Sequence, residues 1–350
     1  MLRNIVVGCS FAIVSLVSAG SVDAASVVYQ GVAPWRAADI PAGNPSGFDV
    51  MGDGKIVALN GLSVNLLSAT GALERTIGTI PDYDAGPEYG SFCRVSPDGS
   101  RVWVGFTVNL NADDRIYSLP FAGGAATHEA TLAGNYDLEF AQVSSAWTPF
   151  VSAAQWTSPN AVWRLDTSGG AHTKVVQLSG YGAGIAFDAT GNLWALDQTA
   201  QKLYRFASAD VQNAALALTG FLVPDNAGFF TDTAFAGADV TVDGAAHVFF
   251  NANDPSYAGL TQVALVQPGY AGTYKYDNIA TGIAGYNWTT QIDFGGLGDA
   301  TLGQGGIYVG DYYGSGNVTR LSVPEPASVV LALSAAAMFG LARRRRQATH

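Results

Sequence analysis

The chain has 350 residues, is 48% hydrophobic and only 13% charged, and carries a formal net charge of -11. Setting aside the basic Arg3 and Arg343 to Arg346 and the acidic Asp23 and Glu325 leaves 12 basic against 26 acidic residues between 25 and 323, about -14. An acidic surface of this kind excludes nucleic acid and anionic membrane as partners and suits solubility or the loose capture of cations.

The N-terminus reads as an export signal. Arg3 supplies the positive start, Ile5 to Val17 an apolar stretch that would form a signal helix, and Val22-Asp23-Ala24 the small residues of a cleavage site. Residues 1–24 are therefore assigned as a signal peptide, with the mature chain starting at Ala25. Too few apolar residues precede Cys9 for a lipoprotein signal. Cys93 then remains as the single cysteine, which excludes an internal disulfide although export would permit one. Its setting, SFCRVSP, reads as a strand with a buried thiol.

From residue 25 onward the pattern is short apolar strands separated by Gly-containing turns. Ser26 to Val32 (SVVYQGV) is a strand-like segment ahead of the first full unit. FDVMGDGKIVAL follows from Phe48 and FCRVSPDGSRVWVGF from Phe92, the latter with a third strand at DRIYSLPF. LEFAQVSSAWTPFVSA begins at Leu138 and continues into NAVWRLD. The clearest unit is GIAFDATGNLWALDQTAQKLYRF at 184–206, where Gly191-Asn192 offers the positive φ of a tight hairpin. Leu193 to Leu196 does not alternate with polar residues, so that strand is expected to be buried on both faces. ADVTVDGAAHVFF from Ala238, and QIDFGG from Gln291 with GGIYVGDY and NVTRLSV, complete the series.

Gly54, Gly99, Gly191 and Gly244 lie 45, 92 and 53 positions apart, and 92 is two periods of 46. Six units of this length fill residues 25–323. A period of 40 to 50 residues with three or four strands each indicates an all-β fold, a β-propeller of six blades with seven as the alternative. The repeats resemble NHL-type and related six-bladed propellers, on the strength of 184–206 and more weakly of 92–106 and 305–321. The segment from Ser26 is expected to join the last blade as its outer strand and clasp the ring shut.

The C-terminus departs from this pattern. Val323-Pro324-Glu325-Pro326 is followed by the apolar run Ala327 to Ala342, 16 residues, and by Arg343, Arg344, Arg345 and Arg346. As a helix the run would extend about 24 Å, slightly short for a bilayer core. The arginines would hold its end at the cytoplasmic face. Together these residues resemble the PEP-CTERM sorting signal of Gram-negative bacteria. The resemblance implies export, a transient inner-membrane anchor, processing by an exosortase, and delivery to the cell surface or an extracellular polysaccharide matrix. The expected organisation is a signal peptide at 1–24, a propeller at 25–322, a sorting signal with a transmembrane-like helix at 323–346, and a polar tail at 347–350.

Chemical motifs are sparse. There is no nucleophile elbow, dinucleotide fingerprint or zinc spacing, and the glycines of 295–306 lack the Lys-Ser/Thr of a P-loop. His128, His172 and His247 are too scattered to suggest a metal site or triad and read as surface or packing residues. Glu88, Asp137, Glu139, Asp239 and Asp293 sit near the start of innermost strands and would converge on a propeller's axis, with Asn44 just ahead of the first unit. Carboxylates meeting there could ligate Ca²⁺, the one cofactor suggested, or they could simply cap strands and turns. Six-bladed lactonases of the gluconolactonase type use such an axial metal, but no lactonase motif is present here. Trp147, Trp156, Tyr312 and Tyr313 could stack on sugar rings if exposed, or pack between blades. The expected function is a non-catalytic binding or structural module, with a metal-dependent hydrolase or lactonase acting at the channel as the alternative.

Overall fold

The computed structural model describes residues 36–81, 89–107, 114–155, 158–180, 184–197, 202–217, 220–222, 228–229, 239–242, 248–253, 260–270, 273–284, 290–295, 306–311 and 316–322. The expected signal helix, the transmembrane-like helix and the arginine cluster lie outside these residues. Among the described residues, no helix is long and apolar enough to cross a membrane.

Strand β1 (Arg36–Pro41) stands first in the chain. Next come β2 (Gly47–Val50), β3 (Ile56–Asn60), β4 (Ser63–Leu67) and β5 (Leu73–Thr79), which form one antiparallel sheet in that order. A second sheet comprises β6 (Tyr89–Val95), β7 (Arg101–Thr107), β8 (Arg115–Pro120) and β9 (Thr127–Thr131). The third holds β10 (Asn135–Val143), β11 (Ala146–Gln155), β12 (Ser158–Arg164) and β13 (Thr173–Gln177). The fourth holds β14 (Ile185–Phe187), β15 (Leu193–Asp197), β16 (Lys202–Phe206) and β17 (Gly228–Phe229), with helix α1 (Ser208–Ala217) between its last two strands. The fifth is β18 (Val240–Val242), β19 (Val248–Asn253), β20 (Leu260–Tyr270) and β21 (Thr273–Ala284). The last is β22 (Thr290–Gly295), β23 (Gly306–Asp311) and β24 (Asn317–Ser322), completed by β1.

These six four-stranded sheets make an all-β propeller. The first strands of successive sheets touch in the order β2, β6, β10, β14, β18, β22, and β22 returns to β2, so the ring is closed. Neither face of a four-stranded sheet can be left in water at this apolar content, and radial stacking buries both. Leu193 to Asp197 is accordingly buried at every position, as its unbroken apolar run predicts. The interface between the first two sheets is filled by Val57, Leu59, Val104 and Phe106, and that between the third and fourth by Phe150, Val162, Ile185 and Leu193.

The repeated turns have one geometry. Gly54, Gly99 and Gly191 adopt φ of 83°, 69° and 80°. Each donates its amide back three residues, to the carbonyls of Met51, Ser96 and Asp188. The third sheet replaces the Gly turn with Ser144 and Ser145, both at positive φ.

The clasp is real but lies elsewhere than expected. The strand that completes the last sheet is Arg36–Pro41, paired with β24 from Arg36↔Ser322 to Pro41↔Asn317. The segment 26–32 lies outside the described residues. Ile40 is buried at this junction with Tyr308 and Val318, and Thr319 donates a hydrogen bond to Asp39. The amides of Ala42 and Gly43 both donate to the carbonyl of Gly316, fixing the seam where the two ends of the chain meet.

Helix α1 had no counterpart in the strand-and-turn reading of the sequence. Its start is fixed by the Asn192 side chain, whose oxygen accepts the amide of Ser208, and Val211 and Ala214 bury against the third and fourth sheets.

Candidate functional site: a polar ring on the propeller axis

The innermost strands carry a ring of charged side chains around the axis, and the structure shows what each one holds. In β2, Asp49 accepts the amide of Val95, in the next sheet, at 2.6 Å. In β22, Asp293 accepts the amide of Val50, again in the next sheet round the ring, at 2.6 Å. In β10, Asp137 accepts Ile185 of the fourth sheet at 2.8 Å and its own neighbour Leu138 at 2.8 Å. Asp239, just before β18, repeats that scheme with Ile292 at 2.9 Å and Val240 at 2.8 Å.

Arg94, 5% exposed, occupies in β6 the place that Asp49 holds in β2. Its Nε donates to Glu139 at 2.9 Å and its Nη2 to Asp137 at 3.3 Å, both in the third sheet. Its Nη1 donates backwards to the carbonyl of Phe48 at 2.8 Å. One guanidinium thus joins three sheets, a task suited to its five fixed donors. The fourth sheet has no charged residue on its inner strand. Just ahead of that strand stands Gly184, where a β-carbon would collide with the Asp239 carboxylate.

Four aspartates and a glutamate around one arginine cannot all be ionised in a buried setting. Burial raises Asp293 well above the ordinary carboxylate range; the nearby Asp49 adds to this, both through its charge and by sharing a hydrogen bond, while Arg94 opposes it. Asp239 is also raised well above that range, by burial and then by Asp137, against the pull of Arg94 and two amides. Asp137 is raised by burial, opposed by Arg94 and by the amides of Ile185 and Leu138. Burial pushes Glu139 up to about 8, with Arg94 opposing and Asp137 and Asp49 reinforcing the shift. Burial works against the charge of Arg94, but Asp137, Glu139, Asp293 and Asp239 more than offset it. The thiol of Cys93, beside Arg94 in sequence, is fully buried and pushed well up, so it is inert rather than nucleophilic.

Of the five acids singled out from sequence, Asp137, Glu139, Asp239 and Asp293 are brought to the ring, whereas Glu88 lies outside the described residues. Asn44, at φ 57°, sits at the seam beside Gly316. Among the described residues, no three His, Cys, Asp or Glu side chains are arranged to hold a metal ion. Sequence reasoning missed Asp49 and Arg94. The signal was available: each lies five positions before a turn glycine, Gly54 and Gly99.

Of the aromatics, Trp147 is 51% exposed. Trp156, Tyr312 and Tyr313 lie outside the described residues. His128 is exposed on the second sheet and rests on Tyr117, and His172 is half-buried and accepts the amide of Asp166; His247 lies outside the described residues.

The sequence model of the PEP-CTERM protein-sorting motif matches residues 322–346. The motif implies export, membrane-associated sorting in Gram-negative bacteria and processing by an exosortase-type enzyme. No curated protein matches the chain. Among solved structures, a protein named as a gluconolactonase is similar at 14% identity and TM-score 0.56, over 83% of this chain and 93% of that one. The calcium-binding protein regucalcin from Agrobacterium tumefaciens gives 15% identity and TM-score 0.54, over 84% and 96%. The PQQ-bound aldose sugar dehydrogenase of Streptomyces coelicolor gives 12% and 0.53, over 82% and 98%. At these identities the likeness is one of fold.

Proposed function

We propose that this chain is an exported propeller whose axis is structural and whose work is done at its surface, as a non-catalytic binding or structural module. In this reading the signal peptide at 1–24 and the sorting signal at 323–346 are delivery segments. The propeller of 25–322 is the delivered part, destined for the cell surface or an extracellular matrix. The observation that carries the reading is the use made of the axial carboxylates. Asp49, Asp137, Asp239 and Asp293 each accept an amide of the following sheet. Oxygens used in this way close the ring and are poorly placed to polarise a substrate or activate water.

One observation favours the alternative of a hydrolase or lactonase at the channel. Glu139 keeps 27% of its side chain exposed and holds its proton to about pH 8, which suits a general acid at neutral pH. In that reading Asp137, Glu139, Asp239 and Asp293, with Glu88, would supply oxygens to calcium.

Elemental mass spectrometry of the purified full chain, paired with a lactone and ester turnover assay with and without Ca²⁺, separates the two. Absence of bound metal and of turnover is the expected result. Near-stoichiometric calcium together with turnover, both lost in Asp239→Asn, would overturn the module in favour of the enzyme.

A further inference from the structure

The third sheet presents a feature that the axis does not explain. Its inner hairpin, β10 to β11, reverses through Ser144 and Ser145 at φ 50° and 68°. Asn-Gly or Asp-Gly is the usual choice for such a turn, because serine carries a β-carbon into the left-handed region. The hairpin sets Gln142 directly across from Trp147. Trp147 leaves half its area in solvent, among the few large hydrophobic side chains that do so. Among the described residues no aromatic ring or cation stacks on it, and Gln142 is exposed with its amide unengaged.

Trp147 forms the shared wall of two clefts. One, of about 560 Å³, runs toward the fourth sheet and helix α1, and is lined by Phe140, Gln142, Phe187, Thr190, Ser208 and Gln212 among others. The other, of about 440 Å³, stays on the third sheet and is lined by Ser144, Thr148, Arg164, Thr167 and Thr173 among others. Both volumes fall within the range of ligand sites, about 300 to 1,000 Å³. Their chemistry is specific. The larger cleft contains no Lys, Arg or His, and the carboxylate of Asp188 within it is occupied by Thr190, Asn192 and Trp194. The single cation of the smaller cleft, Arg164, donates to Thr173 at 3.4 Å. The smaller cleft also holds the carboxylate of Asp166, which accepts from Ser168. What remains is an open indole face flanked by carboxamides and hydroxyls, with two carboxylates set against one cation, a lining that does not favour an anion.

We propose that Trp147 and its two clefts form a binding platform for a neutral polysaccharide. The electron-rich indole face receives the C–H-bearing face of one sugar ring. Gln142 and Gln212 on one side, and the hydroxyls of Thr148 and Ser144 on the other, meet the hydroxyls of the neighbouring rings. A chain crossing the indole passes from one cleft into the other, so the site recognises a run of sugars rather than a single one. This deepens the reading of a surface module and rests on it. A structural module without this site would still be exported and would still lack turnover, so the two readings fail in different experiments.

Affinity electrophoresis tests the platform, using the full chain held in a detergent whose headgroup is not a sugar. Gels would contain a neutral glucan, galactomannan or xylan, with alginate as the acidic counterpart. Retardation by at least one neutral polymer is expected, weakened tenfold or more in Trp147→Ala, less in Trp147→Phe, and severalfold in Gln142→Ala. The exposed position of Trp147 makes these variants as stable as the parent, which their melting temperatures check. No retardation by any neutral polymer, retardation by alginate alone, or retardation unchanged in Trp147→Ala would each overturn the proposal.

Discussion

The carboxyl of Asp293 accepts the amide proton of Val50 at 2.6 Å, across 243 positions of sequence. This contact joins the last inner strand to the first, at the axis, while β1 and β24 join the ends at the rim. Asp293→Ala leaves the Val50 amide buried without its acceptor, a loss of about 1–3 kcal/mol. Asp293→Asn keeps an acceptor for Val50 and a donor toward Asp49, and should retain most of the stability. Chemical denaturation of the two variants would check the ordering; equal losses would mean that charge, not the hydrogen bond, is what matters there.

Arg94 serves three sheets from a buried position, so its removal strands Asp137 and Glu139 together. Arg94→Ala should cost about 3–5 kcal/mol, the usual consequence of breaking a buried ion pair from one side. Adding Glu139→Gln to Arg94→Ala should recover part of that loss, because the buried carboxyl left without its guanidinium partner is removed with it. A double mutant cycle in urea measures it.

Stability should depend on pH with a distinctive slope. Glu139 is raised from 4.5 to about 8, and Asp239 and Asp293 are raised as well. The folded chain therefore holds protons that the unfolded chain has released, so this contribution is complete below the unfolded value and is lost as pH rises through 8. Asp98 works the other way. Hydrogen bonds from Ser96 and Ser100 hold it at about 2, so its contribution is lost as pH falls from 3.8 through 2. Melting temperatures should peak near pH 4 to 5 and decline toward pH 9, and Glu139→Gln should flatten the alkaline limb. A maximum at pH 8 or above would contradict the protonated ring.

The rim clasp gives a fourth expectation. Ile40 is 6% exposed against Tyr308 and Val318, so Ile40→Ala should cost about 2–4 kcal/mol by cavity formation. Deleting 36–41 should do far more, since it leaves β24 as an open edge. Limited proteolysis would detect this as new cleavage in the last sheet.

Much of the architecture was legible because the turn chemistry repeats. Gly54, Gly99 and Gly191 mark one hairpin geometry, and the unbroken run Leu193 to Leu196 marks a strand covered on both faces. The acids Asp137, Glu139, Asp239 and Asp293 were legible too, though Asp49 was not, and neither were their partners. A carboxylate that holds a backbone amide of the next sheet leaves no trace in that sheet's side chains: Val50, Val95, Ile185 and Ile292 could be any apolar residue. Arg94 was hidden by its neighbour, since beside Cys93 it reads as a modest influence on a thiol. The clasp was placed one segment too early because SVVYQGV is the more strand-like sequence. RAADIP has one large apolar residue, Ile40, and owes its place to its pairing with β24. Exposure of Trp147 was beyond reach of the sequence, because buried and exposed indoles look alike in a strand.

The seam at Arg36 and Ser322 also sets an order of events in time. A chain crossing a membrane N-terminus first delivers β1 at the outset, and β1 then waits for a partner that lies beyond residues 42 to 316. Such distant pairing is slow to form, and until it forms β1 remains an unpaired edge open to other chains. The partner strand ends at Ser322, where the sorting motif begins. The last strand needed to shut the ring therefore arrives joined directly to the sorting motif. Processing of that motif only after the strand has docked would release closed rings and hold back open ones.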